Sequence, residues 1–263
     1  MIKLYRNLFL MQVIHVYSCV VYITHGIALL YSSLKSPKFY KERKRMKRYL
    51  AELVGTFFLT MAASFTGEPL AIGLMFMMMI YMVGPISGAH VNPAVSLAMW
   101  IRGRLSNVHL GGYVVAQIIG ACLVSLLAYA AVGTAVPPKI IPAQALIFAG
   151  VIELLLNFVL VTLVLIVSTS AKFRDGHING LVLGLTLAGL ASFIGTYNPA
   201  IALGAILPHL LLGAKAGAVS PALNEILVYV LVPLVGGALA ALNFRYMYHN
   251  ENNVYVEEVI VVR

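Results

Sequence analysis

Long stretches free of Asp, Glu, Lys and Arg alternate with short polar segments along the chain. They cover residues 7–34, 69–101, 105–138, 154–171, 176–214 and 226–244. A helix needs about 20 apolar residues to cross a hydrocarbon core of ~30 Å, so several stretches are too long for one span. We divide the long stretches at their polar or Gly/Pro-rich points and add the apolar segment that follows residue 46. The result predicts seven transmembrane helices. These lie near residues 8–31, 47–65, 70–87, 108–131, 145–168, 178–194 and 226–246.

Two apolar segments, 91–101 and 198–207, are too short to span. Each carries an Asn-Pro-Ala sequence at its start, Asn92-Pro93-Ala94 in the first and Asn198-Pro199-Ala200 in the second. Ten residues rise ~15 Å as a helix, about half a bilayer. Asparagine favours the N-cap and proline the first helical turn. Each segment therefore predicts a half-helix that begins at its asparagine.

The same order of elements occurs twice. Glu52 precedes Asn92 by 40 positions, and Glu153 precedes Asn198 by 45. Three full spans in each half turn the second half upside down, which predicts an inverted repeat with a pseudo-twofold axis in the membrane plane. The repeats cover about residues 47–131 and 145–246, and their half-helices would meet N-terminus to N-terminus near the middle of the membrane.

Composition supports an all-α integral membrane protein. The chain is 61% hydrophobic and only 10% charged, whereas soluble domains have ~25% charged residues. This excludes a soluble enzyme, and the apolar content excludes disorder. The sequence shows no nucleophile–base pair that would support an enzyme. Cys19 and Cys122 have neither disulfide-scaffold nor metal-ligand spacing, so neither a cofactor nor a metal is predicted.

The net charge of +9 indicates topology better than it indicates a nucleic-acid partner. Eight basic residues fall between positions 35 and 48, and no basic face interleaved with aromatic residues follows them. A cluster of this kind beside a span is typical of a cytoplasmic loop, here predicted at 35–46. That orientation places 14 of the 18 basic residues on one side. It also places the C-terminal tail, residues 249–263, in the cytoplasm.

Two half-helices that meet at the midplane predict a pore. Each helix N-terminus carries roughly half a positive charge, so the pair repels cations and protons. The amide groups of Asn92 and Asn198 would donate hydrogen bonds to passing oxygen atoms, although either asparagine could also be a plain N-cap. Glu52 and Glu153 would accept hydrogen bonds from the irregular backbone before each half-helix, with proton relay as the alternative. His90 would hold the loop before the first half-helix.

The chain resembles the aquaporin, or major intrinsic protein, family over about residues 46–248. The matching positions are 51–57, 86–95, Tyr113, Ala116, Gln117, Gly120, Ala121, 198–200 and 233–238. This resemblance implies a right-handed bundle of six transmembrane helices plus two half-helices. It also implies a homotetramer in the lipid bilayer, with one pore per subunit that passes water or small neutral solutes. The membrane would be the plasma or cell membrane.

The outer filter departs from the family pattern. Where most members have an arginine after the second Asn-Pro-Ala, this chain has Ile201. Alignment with the family implies that the other filter positions are Ile72, Ala191 and Gly195. A filter of these four residues would be wider and more apolar than that of strict water channels, and would admit glycerol, urea or ammonia. A coupled secondary transporter and a non-conducting structural membrane protein are the alternatives.

Residues 1–46 form an N-terminal extension outside the family pattern. The segment 8–31 is hydrophobic enough to be a seventh helix, while residues 46–52 also read as a complete family N-terminus, which would make the first methionine a misplaced start.

Overall fold

The computed structural model describes residues 37–137, 142–170, 173, 176–193, 195–212 and 223–248, and every regular element in these ranges is helical. The chain divides into two compact units, residues 1–46 and 47–263. Of the first unit, only residues 37–46 are described. The seventh span expected at 8–31 and the tail at 249–263 lie outside the described residues.

The first repeat contains three long helices and one short helix. They are α1 (Pro37–Phe65), α2 (Pro69–Ser87), α3 (Pro93–Ile101) and α4 (Asn107–Val132). Helix α1 begins at Pro37, so most of the basic segment predicted as a loop at 35–46 is helical. Proline fits the first turn of a helix, and the Lys, Arg and Glu residues that follow are good helix formers.

The second repeat follows the same order with more irregular ends. It comprises a 3₁₀ turn (Ala143–Ala145), α5 (Leu146–Thr169), α6 (Asn179–Ala191), α7 (Pro199–Leu212), α8 (Leu223–Ile226), a π-helical turn (Leu227–Leu231) and α9 (Val232–Met247). Helix α7 continues past residue 207, the predicted end of the second half-helix, and includes Pro208.

Four of the described helices are long and apolar enough to cross a membrane, namely Pro69–Ser87, Asn107–Val132, Leu146–Thr169 and Leu227–Met247. Helix α6 has only 13 residues, which rise about 20 Å. Helix α1 is long enough, but charged residues fill its first half and Glu52 lies within its apolar half. Length and composition therefore identify four of the six spans that the family resemblance implies.

The helix contacts follow the inverted repeat. Helix α4 packs against the half-helix α7, and α9 packs against the half-helix α3. Exchange of the two repeats converts the first of these contacts into the second. Helix α2 packs against α6, its own counterpart in the other repeat. Each half-helix thus packs against a full helix of the opposite repeat, as the predicted fold requires.

Glycines allow the closest of these contacts. A Cβ atom on Gly184 would lie 2.7 Å from the backbone oxygen of Gly73, and one on Gly73 would overlap the oxygen of Gly184. A Cβ atom on Gly236 would lie 2.7 Å from the backbone oxygen of Leu154. Real Cβ contacts are almost never this short, so neither helix pair could close with a larger residue at these positions.

We expect Gly184→Ala to destabilise the protein by about 1–3 kcal/mol, because the added methyl group must separate α2 from α6. The matched control is Gly189→Ala in the same helix, where a Cβ would meet no atom within 4 Å. This control should be neutral or stabilising by up to about 1 kcal/mol. Thermal unfolding in detergent compares the two variants, and equal melting temperatures would contradict the close packing at Gly184.

Candidate functional site

Each half-helix is capped by the asparagine that precedes it. The Asn92 Oδ1 accepts a hydrogen bond of 2.8 Å from the backbone N–H of Ala94. The Asn198 Oδ1 accepts one of 3.0 Å from Ala200. The proline between each pair has no N–H, so the cap and the proline together account for the first two positions of each helix. Both asparagines therefore do what their sequence position predicts locally.

The same two asparagines also connect the half-helices to each other. The Asn92 Nδ2 donates to the carbonyl of Tyr197 at 2.8 Å, and the Asn198 Nδ2 donates to the carbonyl of Val91 at 2.8 Å. The two N-termini thus meet, as the inverted repeat predicts. A side-chain amide has two N–H groups. One N–H of each asparagine has no partner among the described residues.

The backbone before each asparagine has a conformation that few residues adopt. Val91 has a φ of 41° and Tyr197 a φ of 52°, both in the left-handed region. A non-glycine residue there costs about 1–3 kcal/mol unless its surroundings enforce it. The carbonyl groups of these two residues are the ones that accept the asparagine amides. The strained conformation is therefore part of the link between the half-helices.

A buried glutamate supports each strained segment. Glu52 accepts hydrogen bonds from the backbone N–H groups of His90 at 3.0 Å and Val91 at 2.7 Å. Glu153 accepts from the N–H groups of Thr196 and, at 3.1 Å, of Tyr197. Both glutamates are completely buried. Each carboxylate therefore binds the backbone before its own half-helix, which is the role that the sequence favours over proton relay.

Further polar side chains complete the first of these clusters. Gln117 donates from Nε2 to the Glu52 carboxylate at 2.8 Å and to the Ser96 hydroxyl at 3.0 Å. The His90 Nδ1 lies 3.2 Å from the same hydroxyl. The His90 side chain therefore connects the loop to the first turn of α3, which agrees with the loop-holding task predicted for it.

Both asparagines line a cavity of about 380 Å³. All four predicted filter residues line it, namely Ile72, Ala191, Gly195 and Ile201. The structure thus brings together residues from α2, α6, α7 and the segment before α7. Much of the remaining wall is apolar, with Leu59, Phe76, Val95, Leu160 and Leu187 among its residues.

Two tyrosines in the cavity wall are absent from the sequence prediction. Tyr229 lies on the π-helical turn, and Tyr197 lies between the predicted filter residue Gly195 and Asn198. A π turn leaves no mark in the residue pattern, so nothing in the sequence could place Tyr229. Tyr197 belongs to no residue pattern either, because its position depends on a contact with Asn92, which is distant in sequence.

Comparison with protein families agrees with this arrangement. The model of the family described as "Major intrinsic protein" matches residues 18–244. The match begins well before residue 46, the start expected from the motifs, and so includes part of the N-terminal extension.

The chain is similar to curated proteins along most of their length. It is 36% identical to "Glycerol uptake facilitator protein-like 6" of Lactiplantibacillus plantarum, with 77% of this chain and 98% of that protein aligned. It is 34% identical to "Probable aquaporin AqpM" of Archaeoglobus fulgidus, with 76% and 96% aligned.

Among solved structures, the fold matches that of the aquaglyceroporin from Plasmodium falciparum. The TM-score is 0.64 at 21% sequence identity, and the match covers 80% of this chain and 99% of the other. At this identity the likeness concerns the fold alone, and it supports the six-helix bundle with two half-helices. The family match over most of the chain, together with the two capped half-helices, shows that the chain belongs to the major intrinsic protein family.

Proposed function

We propose that the protein is a passive transmembrane channel for water and small neutral solutes, and that it excludes protons and ions. The observation that carries this proposal is the meeting of two half-helix N-termini at Asn92 and Asn198, in the wall of a largely apolar cavity. The names of the relatives, glycerol uptake facilitators and aquaporins, are consistent with such a channel.

Charge exclusion follows from the backbone at the centre of the cavity. Each half-helix directs its N-terminus toward the cavity, with a partial charge of about +0.5. A cation that approaches meets both fields at once. A neutral oxygen atom instead accepts hydrogen bonds from the remaining N–H groups of the two asparagine amides, which offset part of the hydration that it loses.

Solute size is determined at the filter formed by Ile72, Ala191, Gly195 and Ile201. None of these residues is charged, and two of them have a small side chain or none. A solute that passes them loses no space to an arginine side chain. This supports a channel that admits glycerol, urea and ammonia as well as water.

The assembly and orientation are also part of the proposal. The channel is a homotetramer in the plasma membrane, with one pore per subunit and its C-terminus in the cytoplasm. Arg102 lies at the end of α3, and Arg245 lies in the last turn of α9. With Lys47 and Arg48 of α1, these residues support a cytoplasmic location for the corresponding helix ends.

Reconstituted protein should conduct both water and glycerol. Stopped-flow light scattering of proteoliposomes measures water efflux under a sucrose gradient and solute entry under glycerol and urea gradients, with protein-free vesicles as the control. Water flux without entry of a larger neutral solute would contradict the wide filter. Flux that depends on pH or sodium would instead favour coupled transport.

We expect Ile201→Arg to reduce glycerol permeability by about tenfold or more while water permeability stays within about threefold, because a guanidinium group narrows the filter and supplies a fixed donor. Ile201→Met, which has a long but uncharged side chain, is the matched control and should retain most glycerol entry. The same vesicle assay compares both variants. Equal glycerol permeability in Ile201→Arg and the parent would place residue 201 outside the constriction.

We expect Glu52→Gln to destabilise the protein by about 2–3 kcal/mol, because an amide directs N–H groups at backbone or side-chain donors that now bind a carboxylate. Glu68→Gln is the matched control, since the Glu68 side chain is exposed and makes no capping hydrogen bond. Thermal unfolding and water permeability are measured for both. A stable, conducting Glu52→Gln variant with an altered pH dependence would support proton relay.

A further inference from the structure

Each buried glutamate also binds a side-chain amide. Glu52 accepts a hydrogen bond of 2.8 Å from the Nε2 of Gln117, which lies on α4. Glu153 accepts one of 3.2 Å from the Nδ2 of Asn157, one turn further along its own helix α5. Both amides are completely buried. The two repeats thus give their carboxylates the same kind of donor from different helices.

The inverted repeat explains why the second donor comes from another helix. Gly120 and Gly236 occupy equivalent places, because a Cβ on either would strike the backbone oxygen of the leucine that follows the glutamate of its repeat. Gln117 lies three positions before the first of these glycines. The residue three positions before the second is Pro233, whose side chain has no hydrogen-bond donor. The second repeat therefore needs its donor elsewhere and has it at Asn157.

The residue equivalent to Asn157 in the first repeat is Thr56, because each lies four positions after its glutamate. The Thr56 hydroxyl donates to the backbone carbonyl of Glu52 at 2.8 Å, a contact within one helix. Asn157 makes the same kind of contact to the backbone carbonyl of Glu153 at 3.0 Å, and its amide also reaches the carboxylate. The additional donor to the carboxylate is what distinguishes Asn157 from Thr56.

Both amides leave their oxygen atom unpaired. Neither the Gln117 Oε1 nor the Asn157 Oδ1 has a hydrogen-bond partner among the described residues, although both atoms are buried. An unpaired buried acceptor is unfavourable. The opposite orientation would direct each amide oxygen at a carboxylate oxygen, and two acceptors repel each other. The shared orientation and the shared unpaired atom support one role for the two residues.

The Glu153 carboxylate in turn determines where the second half-helix begins. It accepts hydrogen bonds from the backbone N–H groups of Thr196 and Tyr197, and the Thr196 hydroxyl lies 3.3 Å from it. The carbonyl of Tyr197 then accepts the amide of Asn92 at the centre of the cavity. Asn157 contacts the carboxylate from the side of α5, and so acts on the half-helix through Glu153.

We propose that Asn157 is a positioning residue for the second half-helix. Its amide fixes the carboxylate of Glu153, as the amide of Gln117 fixes that of Glu52 in the first repeat. The effect on permeability rests on the proposed channel function, whereas the effect on the backbone of residues 196–197 is independent of it.

Hydrogen–deuterium exchange of the full chain, read by mass spectrometry, tests this role because the two repeats report separately. Asn157→Thr keeps nearly the same volume and introduces the residue of the other repeat. We expect it to raise exchange at 196–197 about threefold to tenfold, as for the loss of one hydrogen bond, and to leave 90–91 unchanged. Gln117→Leu should raise exchange at 90–91 and leave 196–197 unchanged. Asn157→Ala, which removes the whole amide, repeats the measurement should the threonine variant not fold.

Water permeability of reconstituted vesicles gives the functional readout. We expect Asn157→Thr to lower it by a similar factor, because a half-helix with a displaced start no longer aligns Asn198 with Asn92. The matched control is Asn243→Thr, the same change at an amide on α9 that contacts a methionine sulfur and does not line the cavity. This control should change neither the exchange of the two segments nor the water permeability.

A rescue variant moves the donor to the place that it has in the first repeat. Pro233→Gln combined with Asn157→Thr reproduces the pair formed by Gln117 and Thr56. The double variant should restore both the slow exchange at 196–197 and the water permeability, whereas a merely structural loss at position 157 would not be reversed from α9.

Three results would overturn the proposal. The first is unchanged exchange at 196–197 in Asn157→Thr. The second is an equal rise in exchange at 90–91 and 196–197, which would indicate a general loosening of the bundle. The third is exchange that stays fast in the double variant. A parent protein that conducts neither water nor glycerol would instead overturn the channel function, and the exchange rates would still decide the role of Asn157.

Discussion

The backbone N–H groups just before each half-helix have no helical carbonyl to bind. A buried carboxylate accepts their hydrogen bonds instead. A half-helix begins inside the protein at membrane depth, where lipid offers no acceptor to the N–H groups of its approach segment, so protein groups must accept these hydrogen bonds. Glu52 and Glu153 solve this problem in the same way in the two repeats. A buried carboxylate is costly on its own. Here each carboxylate accepts at least two hydrogen bonds from backbone N–H groups, and these bonds offset the free-energy cost of burying it. The left-handed residues, the crossed asparagine contacts and the cavity wall all depend on this exchange.

The helix packing places these carboxylates at the correct depth. Leu53 and Leu154 each follow a glutamate, and their carbonyl groups are the atoms that a Cβ on Gly120 or Gly236 would strike. The glycines therefore bring α4 to α1 and α9 to α5 at the level of the carboxylates. The next glycine, Gly237, meets the backbone of Ala94 in the first turn of α3. Close helix contact and support of the half-helix are thus parts of one arrangement.

The features predictable from the sequence are those with a local physical cause. Asn92 and Asn198 cap the helices that follow them, and proline fits the first turn, so both half-helices were predicted at their correct starts. The basic segment at 35–46, predicted as a cytoplasmic loop between spans, is helical from Pro37 onward, because Lys, Arg and Glu favour helix. Pro208 does not end α7. Tyr197 took part in no sequence pattern, because its place depends on Gly195 having no side chain and on Asn92, which is distant in sequence. Contacts of this kind have no signal in a single sequence.

In the proposed channel, the absence of charge at the filter positions would separate two tasks along the cavity. Ile72 and Ile201 cannot repel a proton, so the barrier to charge would lie at the centre, where the two half-helix N-termini meet. Helix dipoles arise from peptide groups and do not titrate. A barrier made from them therefore keeps its strength across the physiological pH range, provided that Asn92 and Asn198 hold the two N-termini together. The proposed constriction would then discriminate by size and hydrogen bonding alone. A channel with this division of tasks would change its solute range by substitution at position 201 and still exclude protons at the centre.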